Sequence, residues 1–198
     1  WDVTSSRNSG VIHAGIYYPE DFLKTKLCVQ GNRLIYEYAK EKKINYKKYG
    51  KFIIASNKTE LSSLETIFNQ GKRNNVEISR VEKEKVLENN PGLIFHGALY
   101  SPSSGVIDVP EYVSALEGDI QHFGGLISLR TSFLNAKQKK GKFIISCSAE
   151  DEFTIESKYL INCSGLSNEF TLKSVEDFPE DKIYKNYYAK GHYFKYSG

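Results

Sequence analysis

Ser6-Arg7-Asn8-Ser9-Gly10-Val11-Ile12-His13-Ala14-Gly15-Ile16-Tyr17-Tyr18 is the stretch on which the fold turns. Small and polar donors run into an apolar segment that carries one imidazole, and the run stops at Pro19. The polar half reads as a loop and residues 11–18 as a short strand. His13 inside that strand is the leading candidate for a catalytic proton acceptor, because an imidazole titrates close to physiological pH. A histidine that is only hydrogen-bonded into the packing is the other reading of the same position.

Outward from this segment, Leu23, Leu27, Leu34 and Tyr38 recur at spacings of four and seven and predict a helix that begins behind an Asp21 cap and ends near Lys43. Residues 51–55 read as a strand. Asn57 and Glu60 then have the spacing with which two side chains satisfy each other's orphan amides, so a helix with Leu61, Leu64 and Phe68 inward should follow. Residues 76–79 read as a strand, 81–89 as a short helix, and 98–101 and 106–109 as extended. Pro110 suits a first helical position, and Val113, Leu116, Ile120 and Phe123 form the buried stripe of that helix. After Gly124-Gly125 come four strand-like pieces, residues 126–130, 132–137, 142–148 and 153–155. Residues 158–165 look like a strand that ends in small residues, where backbone can approach a ligand closely, with a short helix after it.

Composition excludes several classes. With 198 residues, 40% hydrophobic and 26% charged, and only 15 Gly and 5 Pro, the chain is neither disordered nor collagenous. Apolar runs such as residues 52–55 fall far short of the roughly 18–20 residues needed to cross a bilayer, so no transmembrane segment is expected, and peripheral membrane contact stays open. Residues 1–7 lack the regions of a secretory signal. Three widely spaced cysteines without a C-x-x-C argue against a disulfide framework and for a reducing, cytoplasmic setting. The four histidines never fall at i, i+4, and no metal site is expected. A net charge of +3 with interspersed signs argues against a nucleic-acid partner. Residues 184–196 do interleave bases and aromatics as single-strand binders do, but an edge hairpin with lysine gatekeepers accounts for the same composition. No G-x-G-x-x-G, phosphate-loop, nucleophile-elbow or H-E-x-x-H motif occurs. The absence of methionine leads us to expect an internal piece of a longer chain.

The opening motif resembles the L-2-hydroxyglutarate dehydrogenase or oxidase branch of the D-amino-acid-oxidase-like flavoproteins. Further matches follow in the same order: Leu27-Cys28-Val29-Gln30-Gly31-Asn32-Arg33-Leu34, Gly50-Lys51-Phe52-Ile53, Ser101-Pro102-Ser103-Ser104-Gly105-Val106-Ile107-Asp108, Asn162-Cys163-Ser164-Gly165-Leu166 and Ala189-Lys190-Gly191-His192-Tyr193-Phe194. The resemblance implies an α+β (α/β) chain, a partial FAD-linked reductase-type fold with a mixed sheet, flanking helices and a small β-meander. It assigns residues 1–49 and 105–170 to parts of an FAD-binding domain, and 50–104 and 171–198 to a substrate domain. The glycine-rich βαβ unit with which the family begins is absent from this sequence, and both ends are expected to be truncated.

The same resemblance implies FAD as cofactor and a small 2-hydroxy acid as substrate, with a missing half of the enzyme as a further partner. Ser6, Arg7, Asn8 and Ser9 would lie along the flavin and its phosphates, where hydroxyl, amide and guanidinium donors suit anionic and carbonyl oxygens. Phe133 would meet adenine through its backbone. Cys163, Ser164 and Gly165 would put a narrow strand end under the cofactor, and Lys190 and His192 would lie on the substrate side. His13 would take the hydroxyl proton, although a histidine in a similar motif anchors the flavin covalently in some relatives. For each of these residues a purely structural role, as turn, core strand or solvated charge, is the competing reading. A non-catalytic remnant that binds a partner without cofactor is the competing reading of the whole chain.

Overall fold

The computed structural model describes residues 4–88 and 90–192 and divides after Gly125 into two compact units. In the first unit the elements run β1 (Val11–Ile12), α1 (Leu23–Glu41), β2 (Tyr46–Lys47), β3 (Lys51–Ala55), α2 (Leu61–Arg73), β4 (Ser79–Arg80), α3 (Lys83–Leu87), β5 (Gly97–Ser101), β6 (Gly105–Ile107) and α4 (Val109–His122). Two antiparallel sheets result, ordered β1-β6-β2 and β3-β5-β4. Its main core is built from Ala14, Ile16, Ala55, Leu64, Val76, Ile78 and Leu99.

Local chemistry sets the helix starts. Asn57 Oδ1 accepts the Glu60 amide at 3.1 Å, and Glu60 answers by accepting the Ser56 amide at 2.7 Å. The Asn57 half of the expected cap is therefore present, closing a 3-10 turn (Lys58–Glu60) that leads into α2, while the Glu60 carboxylate reaches the amide one residue earlier than a reciprocal cap would. Asp108 caps α4 by accepting the Glu111 amide at 2.9 Å, so Val109 opens that helix and Pro110 stands one position further in.

The strand expected over residues 11–18 stops at Ile12. Gly15 has φ +88, and a Cβ there would lie 2.7 Å from Val29 Cγ2, so the chain must bend where only glycine fits. Yet Ile12, Ala14 and Ile16 are all buried, as an alternating strand would bury them. Side chains replace the missing ladder. Asn74, only 6% exposed at the end of α2, donates through Nδ2 to the carbonyls of Gly15 at 2.8 Å and Tyr18 at 2.9 Å. Asn32 Nδ2 in α1 donates at 3.0 Å to the carbonyls of His13 and of Ser103. The polar backbone of a buried loop is thereby satisfied without a sheet.

Other expectations are corrected. Phe22, not Asp21, precedes α1, with no side-chain cap. The stripe of α4, expected to be buried, faces outward, with Ile120 44% and Phe123 82% exposed, and on α1 Leu27 is 56% exposed. Periodicity shows that a helix has an apolar face but not what covers it. The strand expected over residues 76–79 lies instead at Ser79–Arg80, because Val76 and Ile78 turn into the core before pairing begins. The short helix ends at Leu87, and Asn89, to which we expected it to extend, lies outside the described residues.

In the second unit, β7 (Ser132–Lys139), β8 (Lys142–Ser148) and β9 (Glu152–Ser157) form the expected antiparallel meander over Ala136, Ile145 and Cys147. The parallel pairing among the described residues is an isolated bridge between Ala136 and Val175. Residues 126–130 form no strand. Residues 158–164 form none either: they have no ladder partner, and a 3-10 turn (Gly165–Ser167) and α5 (Asn168–Lys173) follow. No hairpin appears in residues 184–192, and Tyr193–Tyr196, like Trp1–Val3, lie outside the described residues. No helix among the described residues is long and apolar enough to cross a membrane.

Two measurements check this account. Replacing Asn74 with Ala strands two loop carbonyls and should lower the free energy of unfolding by about 2–4 kcal/mol in urea titrations. The second concerns α1 and α4, which are joined by Asp119, accepting from Tyr38 at 2.7 Å and from Lys42. Burial and that bond to Asp119 push the Tyr38 phenol up to about 12 from its ordinary 10. The folded state thus keeps a proton that the unfolded chain releases, and stability should fall as pH rises from about 10 to about 12. Tyr38→Phe should flatten that part of the profile.

Candidate functional site

The first unit holds a cleft of about 690 Å³ between the His13 segment and the outward faces of α1 and α4. Ile12, Cys28, Leu34, Ile35 and Leu116 make its apolar wall, and Asn32, Tyr38 and the carboxylates of Glu37 and Glu41 its polar points. Both volume and lining are those of a small-molecule site. Helix spacing explains the wall, since Cys28, Asn32 and Ile35 share one face of α1.

His13 stands exposed at the mouth of this cleft. The part of its ring withdrawn from water, then the ammonium of Lys51, then that of Lys24, lower its pKa below the ordinary imidazole value. At neutral pH it is therefore a free base able to accept a proton. Burial pushes the Cys28 thiol up against the opposing pull of Lys24, which keeps it a neutral wall residue and a poor nucleophile.

A second hollow of about 350 Å³ lies between the opening loop and the start of α4, lined by Ser5, Ser6, Asn8, Ser9 and Gly10 on one side and residues 107–110 on the other. Arg7 is exposed on the same loop. Asn8 shapes that loop: Nδ2 donates to the Thr4 and Ser5 carbonyls at 3.2 and 2.9 Å, and Oδ1 accepts the Gly10 amide at 2.8 Å. Both of its amide protons are thus committed locally, and donors toward an outside group come from its neighbours.

The remaining candidates lie in the second unit. Phe133 is half-buried against the meander core and pairs with Cys147 beside a register shift. Residues 162–165 form a turn, where Ser164 donates to Asn162 Oδ1 through its amide at 3.1 Å and its hydroxyl at 2.7 Å, and accepts from Thr171 at 3.0 Å. Cys163 is exposed, and Gly165 takes φ +58. Lys190 and His192 are exposed. The structure therefore brings Ser6, Asn8 and Ser9 around one hollow and puts His13 on another cleft of the same unit. Asn32 and Asn74, which position the His13 loop, carried no assigned role in the sequence reading. Asn32 stood inside a quoted motif, and Asn74 shows only the signal of an Asn pair closing a helix.

This arrangement of helices and small sheets recurs in solved oxidases. The chain is similar in fold to L-alpha-glycerophosphate oxidase from Mycoplasma pneumoniae, solved with FAD bound, with a TM-score of 0.80 and 23% identity over 88% of this chain and 47% of that one. It is likewise similar to glycine oxidase from Geobacillus kaustophilus, with a TM-score of 0.74 and 17% identity over 86% and 47%. The fold class is that of FAD-linked oxidoreductases. In sequence, the profile of the FAD dependent oxidoreductase family matches residues 2–197, and the chain belongs to that family.

Similar curated proteins are the mitochondrial L-2-hydroxyglutarate dehydrogenases of Arabidopsis thaliana, 31% identical over 99% of this chain and 47% of that protein, and of Dictyostelium discoideum, 37% identical over 90% and 44%. That of Homo sapiens is 33% identical over 82% of this chain and 37% of that protein. The chain thus spans about half the length of the curated relatives it matches.

The residues present fit the family's cofactor in part. An apolar cleft with an imidazole at its mouth suits a flat ring, and the hydroxyl-lined hollow at the opening loop suits polar oxygens, whereas no glycine-rich diphosphate turn occurs in these 198 residues. The His13 ring supplies the check on the geometry. Its NMR titration should run below the ordinary value, and Lys51→Met should move it upward while burial still holds it below that value.

Proposed function

We propose that this chain is the His13-bearing part of an FAD-dependent oxidoreductase that oxidises L-2-hydroxyglutarate, or a close 2-hydroxy acid, to the 2-oxo acid. The observation that carries the reading is an imidazole, its pKa held below the ordinary value, on the lining of a largely apolar cleft, in a chain similar along nearly its whole length to L-2-hydroxyglutarate dehydrogenases. Bound FAD supplies the hydride acceptor. His13 takes the proton of the substrate hydroxyl as the C2 hydrogen leaves with its electron pair, so the alcohol loses two electrons and two hydrogens and becomes a carbonyl.

The other roles follow the resemblance residue by residue. Ser6, Arg7 and Ser9 offer donors to flavin and phosphate oxygens while Asn8 holds their loop in shape. Phe133 meets adenine through its backbone, Cys163, Ser164 and Gly165 lie under the cofactor, and Lys190 and His192 serve the substrate side. A cytoplasmic setting belongs to the same proposal and agrees with three free thiols.

A second reading, a cofactor-free fragment that binds a partner, is favoured by the outward apolar faces of α1 and α4. Colour separates the two. Protein loaded with FAD should be yellow and lose its flavin band when L-2-hydroxyglutarate is added without oxygen, and His13→Asn should slow that bleaching by about 10²-fold or more while the colour remains. Protein that stays colourless in excess FAD supports the partner-binding fragment.

A further inference from the structure

Two lysines bracket the His13 loop in a way the reading above does not use. Lys24 stands at the second position of α1 and Lys51 at the first of β3. Both ammonium groups rest on the tyrosine pair that closes the loop: Lys24 Nζ lies 4.2 Å from the ring centre of Tyr18, and Lys51 Nζ 4.6 Å from that of Tyr17. Among the described residues neither takes part in an ion pair, although Lys42, Lys142, Lys173 and Lys182 all do. A lysine seated on an aromatic face has its stem fixed and its N–H donors still directed outward, so it loses little freedom when it captures an anion. Asn32 and Asn74 hold the intervening backbone, which fixes the loop that carries the imidazole and the two tyrosine rings.

We propose that Lys24 and Lys51 form a carboxylate-binding pair beside His13 that selects a 2-hydroxy dicarboxylate over a 2-hydroxy monocarboxylate. The inference rests on the proposed function and deepens it by naming what reads the second carboxylate. Two separate, unneutralised ammonium groups match a dianion and leave one charge unmet by a monoanion. The pairing also serves the chemistry. In the free protein both charges act against protonation of His13. Carboxylates seated on them offset that field, so the imidazole becomes a better acceptor for the hydroxyl proton when substrate is in place.

Glutarate, a dianion with no hydroxyl to oxidise, and butyrate, its monoanionic counterpart, test this by NMR titration of the His13 ring in the full chain. Glutarate should bind more tightly than butyrate. Lys24→Met or Lys51→Met should weaken glutarate about tenfold and erase the preference, and Lys→Arg at either position should restore it. Lys58→Met, on the 3-10 turn before α2, should change nothing. Glutarate affinity that ignores both Met substitutions, or equal affinity for the two acids in the unsubstituted protein, overturns the pair. The failure of the function reading looks different: flavin-loaded protein that binds glutarate through both lysines but is not bleached by L-2-hydroxyglutarate keeps the anion site and loses the reaction.

Discussion

One buried side-chain amide holds the site together. Asn74 donates both Nδ2 protons to the carbonyls of Gly15 and Tyr18, and its Oδ1 accepts from Gln70 at 3.1 Å, so its bonding capacity is used inside the core. The loop it clamps carries Ala14 and Ile16 into the main core, with His13 on the outer side of the same backbone. Had this segment remained a strand, its amides would need ladder partners ahead of Gly105, where the antiparallel β6 begins. Gly15 makes the bend and Asn74 makes the bend affordable. Asn32 adds the third tie, fastening the His13 carbonyl to α1.

From that frame the electrostatics follow. An imidazole partly withdrawn from water and faced by two ammonium groups stays unprotonated, while the thiol of Cys28 beneath it stays protonated. One cleft therefore brings a free imidazole beside a thiol that stays neutral.

Much of this was legible in the sequence, and the failures share a physical origin. Caps were readable because they are local: Asn57 and Glu60 are three residues apart, and the bonds they make to the amides of Glu60 and Ser56 need no distant partner. The meander was readable because its strands follow one another in sequence. The face of α4 was correctly apolar and wrongly placed inward, since period gives a stripe and tertiary contact decides its cover. Residues 158–164 have strand composition but no neighbour to pair with, and a ladder cannot form from one strand. Asn32 and Asn74 escaped notice because their partners lie 19 and 59 residues away, and polar residues of that kind look like ordinary surface in a linear reading.

The account stands on the cleft at His13 being the place where the flavin ring meets the substrate. A crystal structure of the FAD-loaded protein tests this most directly. The account predicts isoalloxazine against the wall of Ile12, Cys28 and Leu34, in contact with the His13 imidazole. A ring seated elsewhere on the protein, with that cleft left to solvent, would contradict it.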